Sequence, residues 1–329
     1  MELDSVRELK FSAFKALNLD VQAIASAAAI PRWNRPRRFM AIGIASSRSR
    51  DGYKLAIRLQ REDVDARRAT ERLVQLAKGE VDVQYVGIIR TAATSQLNAM
   101  AGSPPLLLGS SIAHYRVTAG TLGAFVRPRG NSTNSIYLLS NNHVIANSNR
   151  CKNNDDVLRP GPMDGGKRPK DRIAGLSSWV PLVTGGNTVD CAVAAIDTNY
   201  MQNDSNTIPG VGNLAGVSAT GAYDGLLVSK LGRTTKLTRG KITAFEIDDV
   251  VVGYPGLGNL SFNGQIEVEG IENKPFAAGG DSGSLVVDND NFAIGLLFAT
   301  SSAGGSNGKG LTYVNPIAPV LDQLKVDFL

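Results

Sequence analysis

The stretch AAGGDSGSLVVD (residues 277–288) sets two adjacent glycines, an aspartate and a serine directly before a valine-rich strand. A plain turn uses all of these, because glycine supplies positive φ while Asp and Ser bond their own backbone. A nucleophilic Ser282 requires more. A serine hydroxyl is inert at neutral pH unless a neighbouring base takes its proton, and the oxyanion that forms must meet preplaced N–H donors. The glycines let the backbone coil tightly enough for the N–H groups of Gly280 and Ser282 to face one small cavity. The rest of the chain must then supply a base and an acid to orient it.

Two candidates stand in suitable contexts. His143, in SIYLLSNNHVIAN, follows an apolar strand at the point where the chain turns. Asp190, in NTVDCAVAAID, sits among apolar β-forming residues, where a carboxylate is costly unless something bonds it. An imidazole is the natural partner: a charged acid behind a histidine holds the ring in the useful tautomer and stabilises the imidazolium formed when serine gives up its proton. The order is His, Asp, Ser, with separations of 47 and 92 residues.

These residues, with NNHV and GDSG around them, resemble the chymotrypsin-fold (trypsin-like) serine endopeptidases, and SNNHV and VDCAVAAID are closer to the bacterial HtrA-like branch than to digestive trypsins. The resemblance covers about residues 110–329. It implies two six-stranded β-barrels closed by a C-terminal helix, without a PDZ domain. It also implies hydrolysis of protein or peptide substrates, with no cofactor or metal. His143 would be general base and then acid, Asp190 the orienting acid, Ser282 the nucleophile, and Gly280 with Ser282 the oxyanion donors. No Arg-Ile-Val-Gly-Gly-like segment precedes the barrels, so Asp281 must be neutralised by something other than a new N-terminus: an arginine, or hydration. Phe276 stands where trypsins keep the acid of their specificity pocket. With Ala277 beside it and Phe298, Ala299 and Thr300 as walls, the pocket would be apolar and take a small or medium hydrophobic side chain. KLGRTTKLTRGKITA (230–244) also resembles a segment of bacterial relatives and reads first as a structural hairpin, second as a substrate contact.

Outside the resemblance, the reading rests on pattern. From residue 117 onward, short apolar runs separated by turn signals mean an all-β sandwich or barrel, and only NPIAPVLDQLKV at the end has helical spacing. Residues 1–95 differ in kind. Val6, Leu9, Ala13 and Leu17 give a helix, and Asp20 is placed to cap a second short one before Pro31. FMAIGIAS (39–46), YKLAIRLQ (53–60) and VDVQYVGIIR (81–90) read as strands, and DVDARRATERLVQLAKG as a helix begun by Asp63 or Asp65 and ended by Gly79. The expected fold class is therefore α+β overall: a small α/β sandwich over 1–95, a linker at 96–110 marked by Pro-Pro and Gly, and the double barrel over 111–329. The first domain would be a pro-domain, an inhibitory lid that regulates the enzyme in cis, or a targeting module.

The 329 residues and 43% hydrophobic content are enough for real cores. No apolar run approaches the roughly 18 residues that span a bilayer. Acidic residues precede VQAIASAAAI, so no secretory leader is expected and the chain reads as cytoplasmic. Cys151 and Cys191 exclude a disulfide framework, and with His114 and His143 they match no zinc spacing. The net charge of +5 belongs to the first hundred residues, densest at PRWNRPRR (31–38). That stretch, including Arg35, Arg37 and Arg38, reads as a solvated loop, and nucleic acid is not an expected partner. The competing functional reading is a catalytically silent barrel with a basic, partner-binding first domain.

Overall fold

The computed structural model describes residues 1–28, 39–47, 52–91, 106–130, 135–197, 200 and 207–329. The basic loop at 31–38 and residues 96–105 of the expected linker lie outside these. The N-terminal unit has the expected αββαβ order: α1 (Leu3–Ala28), β1 (Met40–Ser46), β2 (Tyr53–Leu59), α2 (Val64–Leu76) and β3 (Val81–Tyr85). Its small core joins Ala13 and Leu17 of α1 and Ala69 and Leu73 of α2 to Met40, Ile42, Leu55 and Ile57 of the strands. Asp63 caps α2 by accepting the Ala66 N–H at 2.8 Å.

Two details differ from the sequence reading. α1 continues unbroken through Asp20 to Ala28, so no second helix begins there. The segment contains neither Gly nor Pro, and one interior Asp costs a helix only a fraction of a kcal/mol, about 0.7 or less. The expected single strand at 81–90 is split. Gly87, at φ +65°, turns the chain after β3, and β4 (Ile89–Arg90) leaves the N-terminal sheet.

The remaining strands form two sheets. In the first, β5 (Ser111–His114), β6 (Gly120–Thr121), β7 (Ala124–Pro128), β8 (Tyr137–Ser140), β9 (Asp156–Leu158), β10 (Arg172–Trp179) and β11 (Ala192–Ile196) curl around an apolar centre of Leu122, Phe125, Leu138, Val157, Ile173 and Val193. The short turn α3 (Asn142–Ile145) follows β8. Minor strands β12 (Thr207–Ile208), β13 (Gly212–Asn213) and β14 (Gly216–Val217) lead onward. The second sheet contains β15 (Leu227–Gly232), β16 (Lys236–Asp248), β17 (Val250–Tyr254), β18 (Gly258–Phe262), β19 (Gln265–Gly270), β20 (Leu285–Asp288), β21 (Phe292–Ser301) and β22 (Leu311–Pro316). Pairings β15–β16, β16–β19, β19–β22, β22–β21, β21–β20 and β20–β15 close a six-stranded barrel. Helix α4 (Ile317–Leu324) packs Ile317, Val320, Leu321 and Leu324 into the first sheet's core together with Leu285 and Leu296 of the barrel, and β23 (Val326–Phe328) pairs β7. The double-barrel arrangement is thus one closed barrel and one curled sheet, tied by the C-terminus.

The N-terminal sheet is continuous with the closed barrel. β16 is 13 residues long; its edge pairs β15 through Lys241 and then β1 through Phe245 and Asp248. The Gln60 side-chain amide bonds both the N–H and the C=O of Val251, at 3.1 and 2.7 Å. Arg58 of β2 reaches the outer face of the barrel, where its Nε donates to Glu267 at 2.9 and 3.0 Å. Glu267 also accepts from Thr243 and Tyr313, and both charged groups are fully buried. Arg58→Met should therefore destabilise the chain by about 3–5 kcal/mol in urea unfolding, because it leaves a buried carboxylate unpaired. Adding Glu267→Gln should recover part of that loss.

Candidate active site

His143 and Asp190 meet on the first sheet. His143 rides on α3, one turn beyond the end of β8, and Asp190 lies just before β11, which pairs β8. Asp190 is fully buried, and its Oδ2 stands 2.5 Å from His143 Nδ1 while Oδ1 accepts the His143 main-chain N–H at 3.2 Å. A carboxylate only accepts, so the proton between them sits on Nδ1. Among the described residues no hydrogen bond is made to Nε2. The asparagines of NNHV hold the turn: Asn141 donates to Asp190 O at 2.7 Å, and Asn142 donates to Val180 O at 2.8 Å and to the Asn149 side chain at 2.9 Å.

A residue that the sequence reading missed completes this pair. Tyr254 of β17 donates its hydroxyl to Asp190 Oδ2 at 2.7 Å, and its ring stands edge-on to His143 with centroids 5.8 Å apart. Burial first, and the Asp190 charge second, push this phenol well above the ordinary tyrosine range, so it stays a donor across the working pH range. The available signal was general: a buried tyrosine needs a partner for its hydroxyl. His114, the other histidine, also meets an acid, Asp155, at 3.1 Å, but its second ring nitrogen accepts the Arg116 N–H. It has no nitrogen left to act as a base.

Ser282 lies on the closed barrel, in the loop between Phe276 and β20, against the first sheet. A β-carbon on Gly120 would meet both Val144, the neighbour of His143, at 2.4 Å and Ser282 O at 3.1 Å. Gly283, at φ +94°, is required as glycine twice over, since a β-carbon there would also stand 2.2 Å from Ser140 Oγ. The loop's carbonyls are turned away and bonded: Ser282 O accepts from Thr121 N–H, Gly280 O from Thr121 Oγ1 and Gly279 O from Thr234 Oγ1. Among the described residues the N–H groups of Gly280 and Ser282 have no acceptor. Ser282 Oγ itself bonds Phe298 O, at 3.4 Å, and makes no hydrogen bond to His143.

Asp281 is neutralised by a lysine and not by an arginine. Fully buried, it pairs with Lys230 Nζ at 3.3 Å and accepts from the main-chain N–H groups of Thr234, Thr235 and Ala278 and from Thr235 Oγ1. Lys230 gives its other bonds to Thr235 and to Lys236 O. Arg233, the arginine of the same segment, instead pairs with Asp164, while its main-chain N–H donates to Thr121 Oγ1 at 3.0 Å. The KLGRTTK segment is thus the clamp of the serine loop, by way of the β15–β16 turn.

The five suggested pocket residues are apolar or neutral, and most are packed. Phe276 and Ala277 belong to the cluster inside the closed barrel. Phe298 and Ala299 belong to another, in which Phe298 lies 4.8 Å from the Phe262 ring. Thr300 is half-buried and pairs β4.

No family model and no curated protein matches the chain. Solved structures similar to it include protease A of Thermobifida fusca, at 17% identity and a TM-score of 0.46 over 69% of this chain and 99% of that one. A glutamic-acid-specific serine protease that uses a histidine triad in substrate binding aligns at 19% identity and a TM-score of 0.48, over 68% of this chain and all of its own. A chymotrypsin of Cellulomonas bogoriensis aligns at 19% identity and a TM-score of 0.44, over 69% and 99%. The closed six-stranded barrel, the curled sheet beside it and the C-terminal helix that ties them form the double-barrel arrangement that the resemblance implies.

Proposed function

We propose that this chain is a serine endopeptidase in which Ser282 attacks the peptide carbonyl, His143 moves the proton and Asp190 holds the imidazole. The observation that carries the reading is the Asp190–His143 pair with no hydrogen bond on Nε2, on the sheet whose Thr121 also holds the serine loop, in which the Gly280 and Ser282 N–H groups have no acceptor among the described residues. To engage, Ser282 Oγ leaves Phe298 O by rotation about χ1, a change between staggered rotamers. Its proton passes to Nε2 as the Oγ–C bond forms, and the oxyanion meets the two N–H groups. The C–N bond then breaks as His143 returns the proton to the departing amine, and water repeats the sequence on the acyl-enzyme. Residues 276, 277 and 298–300 carry no charge, which supports cleavage after small or medium apolar residues rather than after Lys or Arg. The unjoined Cys151 and Cys191 fit a reducing compartment. In this reading the N-terminal unit regulates or targets the enzyme.

The silent-barrel alternative draws its support from one contact, that of Ser282 Oγ with Phe298 O. A fluorophosphonate probe separates the two. It should label wild type at Ser282 and fail to label Ser282→Ala; an unlabelled wild type would favour the binding protein. Asp190→Asn should keep the fold and lower kcat by about 10⁴-fold, because the ring would take the wrong tautomer. Tyr254→Phe removes one charge-assisted bond from Asp190 and should lower kcat about tenfold with KM unchanged within about twofold. An equal loss in a thermally unfolded fraction would instead mark Tyr254 as structural only.

A further inference from the structure

A substrate that brings its scissile carbonyl to Ser282 must lay the preceding residues somewhere on the barrel. Extended peptides bind folded domains by adding a strand to a sheet edge. β21 is the strand that runs past the serine: Gly283 N–H donates to Leu297 O at 2.8 Å, Leu297 N–H donates to Ser284 O at 3.0 Å, and Ser282 Oγ reaches Phe298 O. One edge of β21 is filled there by β22, through Leu297↔Val314, Ala299↔Tyr313 and Thr300↔Thr312. The other edge is filled by β20 and the serine loop as far as Leu297. Among the described residues it carries no strand at Phe298 and Ala299, and it is taken again at Thr300 and Ser301 by β4.

The direction of β4 matters. It is antiparallel to β21, Ile89 opposite Ser301 and Arg90 opposite Thr300, so its chain advances toward Phe298 and Ser282. Residues that precede a scissile bond trail away from the serine, so on this edge they must run the same way. Counted from Phe298, the third such residue meets Thr300, where Arg90 now sits. β4 is also well held. Ser302 N–H donates to Ile88 O and Ala303 N–H to Val86 O, each at 3.0 Å, while β17 pairs its far edge and Thr91 N–H reaches Gly253 O at 3.4 Å. Val86 and Ile89 are buried in the same cluster as Phe298 and Tyr313, and Arg90 is exposed.

We propose that Ile89–Arg90 is a resident strand on the acceptor edge for peptide substrates, competing in cis with every substrate residue from the third before the scissile bond outward. The proposal rests on Ser282 being the nucleophile. Short acyl groups would then need only the edge at Phe298 and Ala299, and longer ones would gain nothing from extra main-chain bonds until β4 lets go.

The test uses the full chain, two apolar peptide substrates identical next to the leaving group but two and five residues long, and the fluorophosphonate probe, which needs no strand edge. In wild type, kcat/KM for the longer peptide should exceed that for the shorter by less than about threefold. In Arg90→Pro, which loses a main-chain donor and cannot continue a ladder, the ratio should rise about tenfold, the effect of one or two freed hydrogen bonds. Ser302→Ala, which removes only the bond from Ile88 N–H, should move the ratio the same way by less. Labelling of Ser282 should stay within about twofold in all three proteins, which shows that the fold and the serine are intact. Equal ratios in labelled proteins, or a large ratio already in wild type, would overturn the proposal. Absence of label from wild type would instead remove the nucleophile, and the proposal with it.

Discussion

The arrangement around Ser282 depends on a carboxylate that has been taken entirely out of water. An unpaired buried Asp281 would be too costly to keep. Its pairing with Lys230, Thr234, Thr235 and Ala278 therefore ties the serine loop to the β15–β16 turn as a condition of folding. The same turn sends Arg233 to Asp164 and to Thr121, and Thr121 in turn holds the carbonyls of Gly280 and Ser282. One charge thus coordinates three pieces of chain. The carbonyls point away and, among the described residues, the two N–H groups are left without an acceptor.

The N-terminal unit takes part in this geometry at a distance. Tyr254 reaches Asp190 from β17, a strand whose neighbours on one side are β4 and the Gln60 side chain. The hydroxyl behind the imidazole–carboxylate pair is therefore positioned partly by residues outside the two barrels. Arg58 has the same character, since its guanidinium ends on Glu267, beside Tyr313, on the outer face of the closed barrel.

What could be read in the chain follows from how local each signal is. The pairing of His143 with Asp190 was legible because an aspartate set among apolar strand residues calls for a partner. The αββαβ order was legible from periodicity and caps. Tyr254 was not, because nothing in its surroundings reports a contact with a residue 64 positions away. Charge alone could not settle whether Lys230 or Arg233 would meet Asp281, since both lie in one short turn and only their directions differ. The split of residues 81–90 depended on Gly87 alone, and the fusion of the N-terminal sheet to β16 on a strand that outruns its barrel partners, which pattern analysis of isolated segments does not reveal.

That overhang of β16 has a consequence for the covalent chain. Residues 1–91 are attached to the rest by a main-chain ladder at β1, by β4 and by an ion pair in a dry interior. A nick between Thr91 and Leu106 would leave two bands on a denaturing gel but a single particle of unchanged mass in native solution. Scission and departure of the first fragment are separate events, and only the second would bare a new edge.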